Sequence, residues 1–155
     1  MKRTISLAVA AATLGFALNA SAQVVGKTED QIRWRQSAYH TMAWSMTRIK
    51  ANVEGTYNKD QVIEAANVIQ AIANSKMGAL YQPGSDKGKG WKETRLMPAF
   101  FTDKETLGKV AGAFGPAANE MAKVAATGNV AAVKAQFDKL GETCKGCHDK
   151  FRAED

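Results

Sequence analysis

Cysteine, histidine and proline are scarce in this chain of 155 residues, which holds two cysteines, two histidines and three prolines. Both cysteines and one histidine fall in a single stretch, Cys144-Lys145-Gly146-Cys147-His148. A structural zinc site needs four ligands, and this stretch supplies three. A thioredoxin-type dithiol follows a strand in a βαβ unit, and no segment alternates with the period of a strand. Glycine-rich phosphate loops are absent, and so is any massing of Lys and Arg with interleaved aromatics of the kind nucleic acid requires. Beyond the first residues no apolar run is long enough to span a bilayer. With proline nearly confined to residues 81–101, apart from Pro116, the rest of the chain is free to be helical.

Residues 1–22 read as a secretory leader. Lys2 and Arg3 precede an apolar run from Ile5 to Leu18, and Ala20-Ser21-Ala22 forms a small-x-small cleavage site. The run is shorter than the roughly 20 residues of a membrane anchor. Cleavage leaves a chain beginning at Gln23, addressed to a bacterial periplasm, in which residues 23–155 suffice for one domain with its own core. Removing Lys2 and Arg3 leaves 19 Lys and Arg against 15 Asp and Glu, and these charges are scattered rather than clustered. Neither nucleic acid nor a membrane is implied as a partner.

What is present is helical periodicity, with apolar residues every three or four positions in four segments. The first opens on Thr28-Glu29-Asp30-Gln31, a capping-box pattern. It carries Ile32, Tyr39, Met42, Met46, Ile49 and Val53 on one stripe and stops at Gly55. The second opens at Asn58 and ends near Gly78. Residues 81–101 break every period and form a long connection. A third helix starts at Asp103, with a kink or break expected at Gly115-Pro116, because Pro116 cannot bond the Gly112 carbonyl. The fourth follows Gly128 with Asn129 as cap and repeats Val130, Val133, Phe137, Leu140, Cys144 and Cys147. One apolar stripe on each of four helices predicts an all-α fold, an antiparallel four-helix bundle.

Cys144, Cys147 and His148 stand at i, i+3 and i+4 of the fourth helix, on the continuation of its apolar stripe. Cys-x-x-Cys-His is the attachment signal for c-type haem. Two thiols form thioethers with the porphyrin vinyl groups, and the histidine is the proximal iron ligand. The predicted cofactor is therefore one covalently attached, thioether-linked haem c per chain.

Only seven residues follow His148, none of them Met or His, so a sixth iron ligand would have to come from another helix. At 100° per residue, His40 lies roughly 140° from the centre of the first helix's stripe and faces outward with Trp44. Met42 and Met46 face inward, where methionine also serves as core filling. Tyr39 faces inward too, but a neutral phenol is a poor ligand. The most economical expectation is a five-coordinate iron with Tyr39 packed over the open face; the alternative is a six-coordinate, low-spin electron carrier using Met42 or Met46. Arg35 falls near the centre of the inward stripe, where a charge needs a partner such as a propionate. A peroxidase-like enzyme would need a distal acid or base, and no inward histidine provides one.

Three stretches carry a family resemblance. Arg35-Gln36-Ser37-Ala38, Gln82-Pro83-Gly84 and the run from Cys144 through Phe151 to Arg152 together resemble cytochrome c prime, a class II c-type cytochrome, in order and spacing over nearly the whole mature chain. The resemblance implies a homodimeric periplasmic bundle with a high-spin, five-coordinate haem that binds nitric oxide and sometimes carbon monoxide. It implies electron transfer with a redox partner as the usual activity, with nitric oxide detoxification as a more chemically distinctive one. By position, Arg35 and Gln36 would lie near the propionates, Tyr39 on the distal side, and Arg152 beside the His148 ring. Low-spin relatives place a ligating methionine where this chain has Tyr39. The chain departs from the family's pattern at Lys76-Met77-Gly78 and Leu96-Met97-Pro98, so no haem contact is assigned within residues 76–101. The outward Trp34, His40 and Trp44 are compatible with a dimer contact.

Overall fold

A computed structural model describes residues 25–154; the expected leader, residues 1–22, and the new terminus at Gln23 lie outside the described residues. The helices are α1 (Thr28–Glu54), α2 (Lys59–Asn74), α3 (Ala99–Thr102), α4 (Lys104–Thr127) and α5 (Val130–Phe151), with a 3-10 turn at Met77–Leu80. The four long helices form the antiparallel bundle that the periodicity predicts, neighbouring one another in the cyclic order α1, α2, α4, α5. The seam between α5 and α1 is the most loosely packed of the four. Among the described residues no helix is long and apolar enough to cross a membrane.

Three helices start on side-chain caps. Asn58, Asp103 and Asn129 accept hydrogen bonds from the backbone N–H groups of Gln61, Thr106 and Ala132 at 3.1, 3.0 and 3.0 Å. The capping box expected at Thr28 does not form: Lys27 is the N-cap, without a side-chain bond, and Thr28 is already helical. Gln31 is instead buried at 4% exposure and ties the helix start to other segments. Its amide donates to the Gly26 carbonyl at 3.1 Å and accepts from the Gln82 N–H at 3.4 Å. Glu29 and Asp30 in the first turn face the positive end of the helix dipole in its place.

Two other boundaries differ from expectation. α2 stops at Asn74, four residues short of Gly78, where the Ser75 hydroxyl and N–H both bond the Ile72 carbonyl and Lys76 turns the chain with φ +59°. α4 runs unbroken through Pro116. Both Gly112 and Pro116 lie on its exposed face, so water can take up the freed carbonyl, while Ala118 and Met121 just beyond are fully buried and hold the helix in line.

The core combines bulky and minimal side chains. Ile49, Val62, Met121, Val133 and Leu140 are wholly inaccessible, each worth about 1.5–3 kcal/mol in burial. Ala65 and Ala66 on α2 and Ala118 and Ala125 on α4 are equally inaccessible, and their small size lets those two helices approach closely. Met42 belongs to this core and Met46 packs against it. The connection between the 3-10 turn and α3 closes one end of the bundle, the end that carries Cys144, Cys147 and His148.

Candidate functional site

Cys144 and Cys147 are both free and half-buried near the C-terminal end of α5. Burial pushes both thiols above their ordinary values, and for Cys147 the neighbouring Cys144 adds to the effect. Redox dithiols of the Cys-x-x-Cys type need the opposite, a depressed thiol that ionises near neutrality. Among the described residues no group of three or more His, Cys, Asp and Glu is placed to hold a metal ion.

His148 is exposed beside a cleft of about 380 Å³, also lined by Arg95, Met97 and Arg152. Burial on its inner side lowers the imidazole from its ordinary value, and the charges of Arg152 and Arg95 lower it further against the opposing Asp149. The lowering favours the uncharged ring, the form with a lone pair to offer a metal. Asp149 itself is ion-paired with Lys145 one turn back.

The cleft is built by a strap that the sequence does not announce. The Met97 N–H donates to the Phe151 carbonyl and the Ala153 N–H to the Arg95 carbonyl, both at 2.9 Å, making an antiparallel bridge between Leu96 and Arg152. The Arg95 Nε adds a bond to the Ala153 carbonyl at 2.7 Å. Arg152, the C-cap residue of α5, thereby stands on the same cleft as His148.

Tyr39 on α1 faces this end of α5 across the loose seam, close enough for both thiols to act on its phenol. It is 44% exposed, yet burial pushes its phenol up. Its hydroxyl is hydrogen-bonded to that of Tyr81, just after the 3-10 turn. The Tyr81 ring stacks on Phe100 with centroids 4.4 Å apart, and Phe100 meets Phe151 edge-on at 5.7 Å.

Arg35 and Gln36, the other two α1 residues singled out by the sequence, both grip the long connection. Arg35 is 3% exposed. Its Nη1 donates to the Leu80 carbonyl at 2.9 Å and the Ser85 Oγ at 2.7 Å, its Nη2 to the Ser85 carbonyl at 2.7 Å, and its guanidinium lies 4.4 Å from the Tyr81 ring centroid. Burial works against its charge, and the phenols of Tyr81 and Tyr39 support it. Gln36 accepts from the N–H groups of Trp91 and Lys92 at 2.7 and 3.2 Å and donates to the Lys92 carbonyl at 2.9 Å.

The structure therefore gathers Cys144, Cys147, His148 and Arg152 at one end of α5 and sets Tyr39 and Arg35 opposite. This donor set fits a c-type haem, with two free thiols on one helical face, an imidazole next to them in the chain, and the phenol of Tyr39 within electrostatic reach of the thiols. His40 is exposed, as its helical phase predicts, and Met42 is buried in the core. Tyr81, Ser85, Arg95 and Phe100 were missed, since each lies in or beside the connection that periodicity cannot read. The aromatic spacing of that connection was the available signal for Tyr81 and Phe100.

A family profile described as cytochrome c' matches residues 30–152. A cytochrome c' from Rhodocyclus tenuis is 60% identical over 130 residues, covering 83% of this chain and 98% of that protein. The solved cytochrome c' from Thermochromatium tepidum aligns with a TM-score of 0.80 at 53% identity, over 84% of this chain and all of that one. Another solved cytochrome c', described as having an unusual ligand-controlled dimer dissociation, aligns with a TM-score of 0.80 at 54% identity, over 83% of this chain and 98% of its own. Variants of the cytochrome c' from Alcaligenes xylosoxidans, solved in complex with carbon monoxide or nitric oxide, align at 25% identity and a TM-score of 0.73, over 83% and 84% of this chain and 98% of theirs.

Proposed function

This chain belongs to the cytochrome c' family, and on that premise we propose that it is a periplasmic protein whose covalent haem is five-coordinate and high-spin, binds small neutral gases and passes single electrons. Cys144 and Cys147 would hold the haem as thioethers, and His148 would give the iron its protein ligand. When bound, the haem supplies a ferric/ferrous couple and a coordination position for a diatomic molecule.

The observation that carries this reading is the identity of the residue facing the attachment site from α1. That residue is Tyr39, a neutral phenol held in a hydrogen bond to Tyr81. The methionines one and two turns further along α1 are engaged in the core. The stacked Tyr81 and Phe100 rings put apolar surface beside Tyr39, and an uncharged diatomic loses little on leaving water for such a surface. Arg35 holds the loop that carries Tyr81 against α1, so the phenol pair does not drift into solvent. On the other side, burial and then the charges of Arg152 and Arg95 lower the His148 imidazole and favour the form able to ligate.

The solved relatives described with carbon monoxide, nitric oxide and ligand-controlled dimer dissociation support gas binding and a homodimer for this chain as well. Trp34, His40 and Trp44 lie exposed on the outside of α1, a surface suited to a second copy. The leader read in residues 1–22 supports the periplasmic address.

The deciding measurement is the ultraviolet-visible spectrum of the haem-loaded protein, ferric and dithionite-reduced, with and without carbon monoxide. A broad high-spin reduced spectrum that sharpens with the gas is expected. Narrow low-spin bands unmoved by carbon monoxide would overturn the reading in favour of a methionine-ligated electron carrier.

A further inference from the structure

We infer that Tyr81 is the positioning residue that sets how readily a gas reaches the iron, by holding the Tyr39 hydroxyl in a bond that must break when Tyr39 moves aside. The inference rests on the open-face reading above and deepens it.

Tyr81 is held on every side that could let it turn. The Arg35 guanidinium and the Phe100 ring both lie 4.4 Å from its ring centroid. Two groups at that distance cannot share one face, so they take opposite faces of the phenol ring. Arg35 is itself fixed by its bonds to Leu80 and Ser85, and Phe100 by its edge contact with Phe151 at the end of α5. The ring cannot rotate without disturbing an element on each side.

Tyr39 is held less firmly. It is 44% exposed, and among the described residues the Tyr81 hydroxyl is the only hydrogen-bond partner of its own. A ligand arriving between α1 and the thiols displaces Tyr39 at the cost of one neutral hydrogen bond, while Tyr81 stays in place. Sequence periodicity nominates Tyr39 alone; the partner stands 42 residues away.

The test is Tyr81→Phe, which keeps the ring between Arg35 and Phe100 and removes only the hydroxyl. Net hydrogen-bond energies of this type correspond to a roughly two- to tenfold faster association of carbon monoxide with the ferrous, haem-loaded protein. Tyr39→Phe should give a similar gain, and the double variant no more than either single one, because both changes delete the same bond. Ultraviolet Raman difference spectra should show a phenol losing its hydrogen bond on carbon monoxide binding in the unaltered protein and no such change in Tyr81→Phe. Thermal melting identifies any variant whose packing has failed, in which case Tyr39→Phe carries the comparison. Unaltered rates in Tyr81→Phe, or gains that add in the double variant, would overturn the inference while leaving gas binding intact. Failure of the unaltered ferrous protein to bind carbon monoxide would instead overturn the open-face reading and the inference with it.

Discussion

Arg35 and Ser85 are joined at two points: the Arg35 Nη1 donates to the Ser85 hydroxyl and its Nη2 to the Ser85 carbonyl, each at 2.7 Å. Both residues are almost wholly buried, at 3% and 1% exposure. A guanidinium removed from water to that extent requires acceptors in fixed positions, and the planar fork of arginine meets two at once. The pair pins the long connection to α1 at the end of the bundle that carries Cys144, Cys147 and His148.

Ser85→Ala removes one of those acceptors without adding bulk. The buried, charged Arg35 Nη1 is left with only the Leu80 carbonyl as acceptor, and the expected loss is about 1–3 kcal/mol of stability, read from denaturant unfolding of the haem-loaded protein. Arg35→Lys should not restore the unaltered behaviour, since a single ammonium cannot reach Leu80 and both ends of Ser85 in one geometry. A lysine variant as stable as the original would show the double contact to be unimportant.

Two glycine substitutions should move stability in opposite directions. A Cβ on Gly90 would stand 2.7 Å from the Arg33 nitrogen and the Gln36 Oε1 and 2.9 Å from the Arg33 Cα, which is helix backbone that cannot give way. Gly90→Ala should therefore cost about 1–3 kcal/mol and expose the Trp91 and Lys92 amides to faster hydrogen exchange. In α4 a Cβ on Gly108 meets nothing within 4 Å, so Gly108→Ala should stabilise by about 0.5–1 kcal/mol through helix propensity alone.

Alkali should loosen the fold through the tyrosine pair. Burial, and then its interaction with Tyr39, raises Tyr81 well above the ordinary phenol value, and burial raises Tyr39 as well. A group that keeps its proton to higher pH when folded contributes stability that is complete below its unfolded value, near pH 10, and is lost as the pH climbs through the raised folded value. The denaturant midpoint should stay level to about pH 9 and then fall, and the fall should be shallower in Tyr81→Phe. A midpoint independent of pH between 9 and 11 would contradict this.

Haem attachment should depend on both thiols. Protein carrying Cys144→Ser together with Cys147→Ser is expected to release all its haem into acidified acetone, while the unaltered protein retains it. Retention by the double variant would show the linkage to lie elsewhere.

Much of the fold could be read from local pattern. The caps at Asn58, Asp103 and Asn129 and the apolar stripes of α1, α2, α4 and α5 depend on neighbours within a few residues, so the sequence displays them directly. The same locality misled at Thr28 and at Pro116. Gln31 serves partners outside its helix, and the tertiary packing around Ala118 and Met121 carries α4 past a residue that would break an isolated helix.

By itself the sequence determined that the chain is a helical bundle with two thiols and an imidazole on one face near its end, because spacings of three and four residues set faces on a helix whatever surrounds it. Tertiary structure alone decided what stands opposite that face. Arg35 meets Ser85 across 50 residues, Tyr39 meets Tyr81 across 42, and Arg95 meets Ala153 across 58. Such contacts depend on where an aperiodic connection comes to rest, and that is settled by the collective burial of rings and the pairing of buried polar groups, which no local repeat encodes.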